Sequence, residues 1–421
     1  MTNCKEKMQI EKCLEILLDN VNTKKDIEEV ALMDAVGRVL GRDIVADTNV
    51  PSFAKSAMDG YAVVSSDVAS ASAASPVSLQ VIGELCAGEY KEFDCSKAHD
   101  GEAAATGKAL RVMTGAVVPE GFDAVVRQED TDYGMDFVKI RSSVETFQNY
   151  CPVGEDIKKG TVVLDKGTAI LPVHVGILAS LGIDKVPVKA PLKVAIISTG
   201  DEIVLPGERL DNGKIYGSIA FMLGAAIRKE GLEVVSMELC RDHVKQAVSL
   251  LDEAVKAADV IITTGALSVG KKDFMPEALK TAGAETLFRN ADIQPGTPTM
   301  ASILCGKPVL SLSGNPYAAL ANFEIYFWDL AAKLIESDDL KPRIEILPMS
   351  EDYNKKNKSR RLVRAFAGNG MVFLPVKEHQ ASLIYNLTKC NCLIEFEAGK
   401  TVSKGDKVKV RYIKGAEQYG K

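Results

Sequence analysis

The chain has 421 residues, 46% hydrophobic and 26% charged, with a formal net charge of −6. That length calls for about two to four domains rather than one core, and the acid excess excludes the basic footprint of a nucleic-acid binder. No stretch approaches the roughly 18 uninterrupted apolar residues of a membrane span.

In chain order, residues 5–40 are expected to be helical. Ile10, Cys13, Leu14, Leu17 and Leu18 recur at helical spacing, and "KDIEEVALMDAVGRVL" continues the pattern. This opening alternates charged with apolar residues and has no signal-peptide block, which predicts a cytoplasmic protein. Pro51 ends the region. From about 60 to 150, short β-branched runs such as "YAVVSS" and "DAVVRQED" alternate with Gly, Pro and Asp turns, predicting a small antiparallel β unit. "LPVHVGILASLGI" returns to helix. The β unit therefore reads as an insertion, 51–150, in a split helical domain formed by 1–50 and 151–190.

From Lys193 the pattern is strand, loop, helix, repeated: "KVAIIS", "EVVSMEL", "DVIITT" and "PVLSLS" are near-continuous apolar strands between helical segments. Such strands form a parallel sheet covered on both faces, a doubly wound α/β domain over 191–337. Strand patterns after Lys341 predict a C-terminal β domain, 338–421. The fold class is thus α/β multidomain.

In a doubly wound sheet ligands bind beyond the carboxyl ends of the strands. The loops there carry Asp201 and Glu202 in "TGDEIV", Asp242 in "CRDH", Ser268, Lys271, Lys272 and Asp273 in "GALSVGKKDF", and a "GNP" turn that opens a helix. Singly, Asp242 reads as a helix N-cap and the others as turn residues. Together they set carboxylates, lysines and glycine turns on one edge. Helix N-termini suit phosphate-like anions and clustered carboxylates suit Mg²⁺. Arg289 and a "PGTP" turn fall near the same edge. There is neither a GxGxxG nor a P-loop fingerprint. The nine cysteines form no CxxC pair, and His99, His174, His243 and His379 are scattered. This disfavours a zinc site, a disulfide framework and a histidine triad.

In combination, "PSFAKSAMDGYAV", "RVMTGAVVPEGFDAVVRQED", "VGEDIKKG", "ISTGDEIV", "TTGALSVGKKDF" and "QPGTPTMASILCGKPVLSLSGNP" resemble the molybdopterin molybdotransferase family, the bacterial relatives of the gephyrin E domain. The resemblance spans nearly the whole chain in the same order. It implies a split helical domain, an inserted β domain, an α/β domain and a C-terminal β domain. It also implies a homodimer whose cleft lies between the α/β domain of one subunit and the inserted domain of the other.

The resemblance assigns Asp59, Thr114, Asp156, Glu202, Asp242 and Asp273 to catalysis, with Glu202, Asp242 and Asp273 holding Mg²⁺. Pterin and phosphate contacts fall on Ser56, with Lys55 beside it, and on Thr199, Gly200, Gly265, Ser268, Gly270, Lys271, Arg289, Pro295, Gly296, Ser313, Gly314 and Asn315. The implied reaction takes adenylylated molybdopterin and molybdate, releases AMP and inserts molybdenum. The implied protein partners are a molybdopterin adenylyltransferase and the enzymes that receive the cofactor.

The chain departs from the family pattern where it carries Gln294, Thr297 and Asn290 in place of lysines, Ala266 in place of glycine, Ser313 in place of proline, Ala220 in place of asparagine and Cys151 in place of arginine. Most of these changes remove a charge or polar contact from an oxyanion pocket. Three alternatives to molybdate insertion remain open: use of tungstate, a cofactor carrier or assembly protein, and a nucleotide pyrophosphatase on the related fold.

Overall fold

The computed structural model describes residues 7–91, 105–267, 274–377 and 379–416. The chain divides into two compact units. One is Arg42–Lys166 with Pro172–Lys185, and the other takes in the remaining described chain.

The larger unit is built on a six-stranded sheet in the order Glu233–Cys240, Lys193–Thr199, Val260–Thr264, Lys307–Leu312, Met300–Leu304, Glu285–Arg289. The first four strands run parallel, with Ile196 opposite both Met237 and Ile262. From Val194 onward the Lys193–Thr199 strand is buried on both faces, which is why it reads as an apolar run rather than an alternation. The last two strands are antiparallel, so the sheet is mixed rather than wholly parallel. A hairpin that turns at Cys305 and Gly306, both with positive φ, joins Met300–Leu304 to Lys307–Leu312. Such a two-residue turn matches strand twist.

Helices cover the sheet. The longest, Pro316–Ile335, has 17 of its 20 residues buried, so it is apolar all round and runs through the core instead of along the surface. Phe323 and Phe327 stack at 4.5 Å, with Trp328 edge-on to both. Each such aromatic pair adds about 0.5–1.5 kcal/mol beyond its buried area.

The helical expectation for residues 5–40 holds only for Ile10–Asp19. Ile27–Ala31 is a strand and Leu32–Ala35 a single 3-10 turn. "IEEVA" carries β-branched residues and pairs with Lys185–Lys189, so the apparent helical spacing there was coincidence overridden by a distant partner strand. The Ile10–Asp19 helix buries Ile10, Cys13 and Leu17 in the same apolar cluster as the sheet and the long helix.

The same unit ends in an antiparallel five-stranded sheet: Ile344–Pro348, Lys407–Tyr412, Cys392–Phe396, Arg361–Gly368, Met371–Phe373. Met349 bridges to Val372, which draws the two ends of this sheet together into a barrel around Val363, Ile394, Phe396 and Val410.

The smaller unit holds a five-stranded sheet in the order Ala124–Arg127, Gly60–Val63, Lys108–Val112, Val77–Leu85, Phe137–Ile140. It is antiparallel except where Val77–Leu85 and Lys108–Val112 run parallel, a departure from the all-antiparallel expectation. Pro172–Ser180 is helical.

Candidate functional site

Four parallel strands end at one cleft of about 430 Å³. Thr199, Gly200 and Glu202 follow the first, Asp242 the second, and Thr264 to Leu267 the third. Ser313, Gly314 and Asn315 follow the fourth, and Gly296 and Pro298 come from the turn before the hairpin. The cleft is narrow at its floor. A Cβ on Gly265 would stand 2.5 Å from Thr199 Oγ1 and 2.8 Å from Thr199 O, with φ at +90°. Only glycine fits where two strand ends come this close. Thr199 Oγ1 donates to Thr264 O at 3.0 Å, tying the same ends. Ala266 follows at φ +51°, a left-handed conformation that costs a non-glycine residue about 1–2 kcal/mol.

Glu202 is exposed in the cleft and Asp242 half-buried. The loop under them is fixed by basic residues. Lys214 Nζ donates to Asp201 O at 2.5 Å, and Arg241 donates to Asp201 O and Ile203 O, each at 3.1 Å. Asp201 Oδ1 accepts the Asp242 N–H at 3.1 Å, so Asp201 shapes the loop while Glu202 and Asp242 face the cleft. Burial, and then the Asp242 charge, push the nearby Cys240 thiol up to about 11, which keeps it protonated at neutral pH.

The long helix begins at the same cleft. Its N-cap Asn315 makes no side-chain cap bond, and Ser313 Oγ accepts the Asn315 N–H at 3.3 Å. The Tyr317 N–H is taken by Ala381 O at 2.9 Å, and Ala381 lines the cleft.

The structure therefore gathers Thr199, Gly200, Glu202, Asp242, Gly265, Gly296, Ser313, Gly314 and Asn315. Arg289 ends an edge strand and Pro295 lies in the adjoining turn, and neither is among the described lining residues. Ser268, Gly270, Lys271, Lys272 and Asp273 lie outside the described residues. Sequence reasoning missed the apolar wall of Ile203, Ile215, Ile219, Leu267, Pro298 and Ala381. Ala381 had no local signal, because its loop meets the helix start through contacts with distant segments, the Tyr317–Ala381 hydrogen bond among them.

Ser56, Asp59, Thr114 and Asp156 belong to the smaller unit. Asp59 Oδ1 accepts both the N–H and the Oγ1 hydrogen of Thr114 at 2.7 Å. Those two bonds, backbone first, hold the Asp59 carboxyl below its ordinary range. Ser56 is buried and closes the turn locally, its Oγ donating to Met58 O at 2.5 Å. Asp156 is exposed, and its N–H donates to Val50 O.

Mg²⁺ is commonly held by one or two carboxylates together with substrate phosphates and water. Glu202 and Asp242 in one cleft fit that donor set. Among the described residues no group of three His, Cys, Asp or Glu side chains converges as a complete protein cage. Among them, too, no helix is long and apolar enough to cross a membrane.

Family models match along the chain: MoeA N-terminal region (domain I and II) over residues 8–182, probable molybdopterin binding domain over 195–332, and MoeA C-terminal region (domain IV) over 347–412. A curated molybdopterin molybdenumtransferase of Staphylococcus epidermidis is 33% identical over 373 residues, 88% of this chain and 87% of that protein. One of Staphylococcus aureus is 33% identical over 383 residues, 89% of each. The crystal structure of a molybdopterin biosynthesis MoeA protein from Pyrococcus horikoshii superposes with a TM-score of 0.86 at 29% identity, covering 97% of this chain and all of that one. The chain belongs to the MoeA family of molybdopterin molybdotransferases.

Proposed function

We propose that the cleft binds adenylylated molybdopterin and molybdate and catalyses molybdenum insertion with release of AMP. The observation that carries this is the pair Glu202 and Asp242 at the convergent strand ends of a MoeA-family chain. In the step proposed, a molybdate oxygen attacks the adenylyl phosphorus. The bond to the bridging oxygen breaks, its electron pair leaves on the pterin phosphate, and the attacking oxygen departs in AMP. The two dithiolene sulfurs then take the molybdenum, and their protons leave with a second molybdate oxygen as water.

Glu202 and Asp242, with Asp273, would hold a Mg²⁺ that offsets charge on the pyrophosphate linkage. Lys214 and Arg241 keep the acidic loop in place through its carbonyls. The start of the long helix and the Ser313–Asn315 turn offer polar groups to phosphate oxygens. The wall from Ile203 to Ala381 suits a flat pterin ring and limits water. We assign Asp59, with Thr114 fixing its charge, to the same reaction through a homodimer, and we place the protein in the cytoplasm.

A second reading, a cofactor carrier, draws support from one feature: the only charged residues among the described lining are Glu202 and Asp242. The deciding experiment is incubation with adenylylated molybdopterin, Mg²⁺ and either molybdate or tungstate, following AMP. Metal-dependent AMP release supports the transferase and identifies the oxyanion. Tight pterin binding with no AMP under any oxyanion replaces it with the carrier.

A further inference from the structure

Asn322 sits in the long helix with no exposed surface at all. Its Nδ2 donates to Gly296 O at 2.8 Å and also to Thr299 Oγ1. Thr299 Oγ1 in turn donates to Gly296 O at 2.7 Å. These bonds form a closed clamp on the turn from Gly296 to Thr299, two of whose members, Gly296 and Pro298, line the cleft. The fit is tight. Gly296 has φ +99°, and a Cβ there would come within 2.4 Å of Asn322 Nδ2.

Asn322 Oδ1, by contrast, has no hydrogen-bond partner among the described residues. A buried acceptor without a partner costs stability, and replacing a polar side chain with an apolar one of similar shape is often neutral or favourable. A residue needed only to fill this part of the core would be better apolar. The amide has a use only through its two donor bonds, and both end on the cleft turn.

We infer that Asn322 is a positioning residue: through Gly296 O and Thr299 Oγ1 it fixes the turn that forms one side of the cleft, and so sets the pterin affinity. This rests on the pterin-binding reading proposed above. It adds a buried helix residue, out of reach of substrate, to the features that determine binding.

The test uses the full-length protein and the variants Asn322→Leu and Asn322→Ala. Leu keeps the volume and removes the donors. For Asn322→Leu we expect an unchanged or higher Tm, amide exchange at least about tenfold faster in 294–299 but not in 260–264, and adenylylated molybdopterin bound about tenfold more weakly. Asn322→Ala should show the same exchange and binding changes with a lower Tm. Unchanged exchange in 294–299 for Asn322→Leu overturns the inference, and so does a loosened turn with unaltered pterin affinity. Wild-type protein that binds no adenylylated molybdopterin overturns the proposed function itself, and this inference with it, whatever the exchange rates show.

Discussion

Asp59 in the smaller unit and Glu202 in the larger are both acids standing immediately before a strand, yet their surroundings differ in kind. Asp59 receives two hydrogen bonds from Thr114, and its charge is settled by the protein itself. The Glu202 carboxylate is exposed in the cleft, while the basic side chains nearby, Lys214 and Arg241, bond to the loop's backbone instead. An acid held by fixed donors is preorganised for one role in every state of the site. An exposed acid surrounded by committed cations is left for a ligand that arrives from solution. The difference separates a permanent electrostatic fixture from the position proposed above to hold a metal.

The strongest way to break this contrast is Glu202→Gln. If Glu202 serves a cation, the neutral isostere should lower metal-dependent AMP release by about a hundredfold or more, roughly 2.7 kcal/mol in the barrier. The Tm without metal should stay within about 1 °C, because an exposed carboxylate contributes little to folding. Full activity in Glu202→Gln assigns the metal role elsewhere.

Glu324 sharpens the contrast from a third side, since it has neither water nor sufficient donors. It is fully buried on the long helix, and its Oε1 has no hydrogen-bond partner among the described residues. The groups facing it are Trp328 on its own helix, and Arg411 and Lys414 from the last strand and the turn after it. Burial pushes its pKa from 4.5 to about 7. A carboxyl raised on folding favours the native state while it is neutral, so this contribution is full below 4.5 and is lost as pH rises through about 7. Glu324→Gln should therefore match wild type near pH 4.5 and exceed it at pH 8, by on the order of 3 kcal/mol in urea unfolding. An equal difference at both pH values would show that Glu324 does not titrate in this window.

Thr114→Val tests the held acid. Losing the Oγ1 donor should raise the Asp59 pKa toward its ordinary value, read by carbon NMR of the labelled carboxyl. Because that pKa is lowered on folding, Asp59 contributes stability above the unfolded pKa and loses it as pH falls through the folded one. In Thr114→Val that loss should begin at a higher pH. An unmoved titration would mean that the Thr114 N–H alone sets the charge.

The legibility of these sites in the sequence followed the range of the interactions. Loops after apolar strands put Glu202, Asp242, Gly265 and the Ser313–Asn315 turn at one edge, where they line one cleft, because a parallel sheet brings its strand ends to one edge whatever else the chain does. Helical spacing failed at Ile27–Ala31, where the decisive partner strand begins at Lys185. The sequence likewise hid the antiparallel Glu285–Arg289 and Met300–Leu304 pair, since register across a hairpin carries little local signal. Ala381 and Asn322 were invisible for the same reason, each acting through a bond to a distant segment.

The smallest expected effect concerns the missing lysines. Gln294 is exposed, and its backbone is fixed at both ends, its N–H donating to Arg360 O and its carbonyl accepting the Leu362 N–H. A lysine there leaves both bonds intact. Thr297 is different: its Oγ1 donates to Ile293 O at 2.6 Å, and a lysine would break that bond at a cost of about 1 kcal/mol. The two substitutions should thus separate. Gln294→Lys should tighten molybdate binding about threefold by calorimetry with no change in Tm, a gain of about 0.7 kcal/mol for a charge that stays partly in water. Thr297→Lys should lower Tm, and it should add affinity only if its ammonium reaches the cleft. No gain from either would mean that oxyanion binding draws its positive charge from elsewhere, and would leave the exposed acid Glu202 as the main electrostatic feature of the cleft.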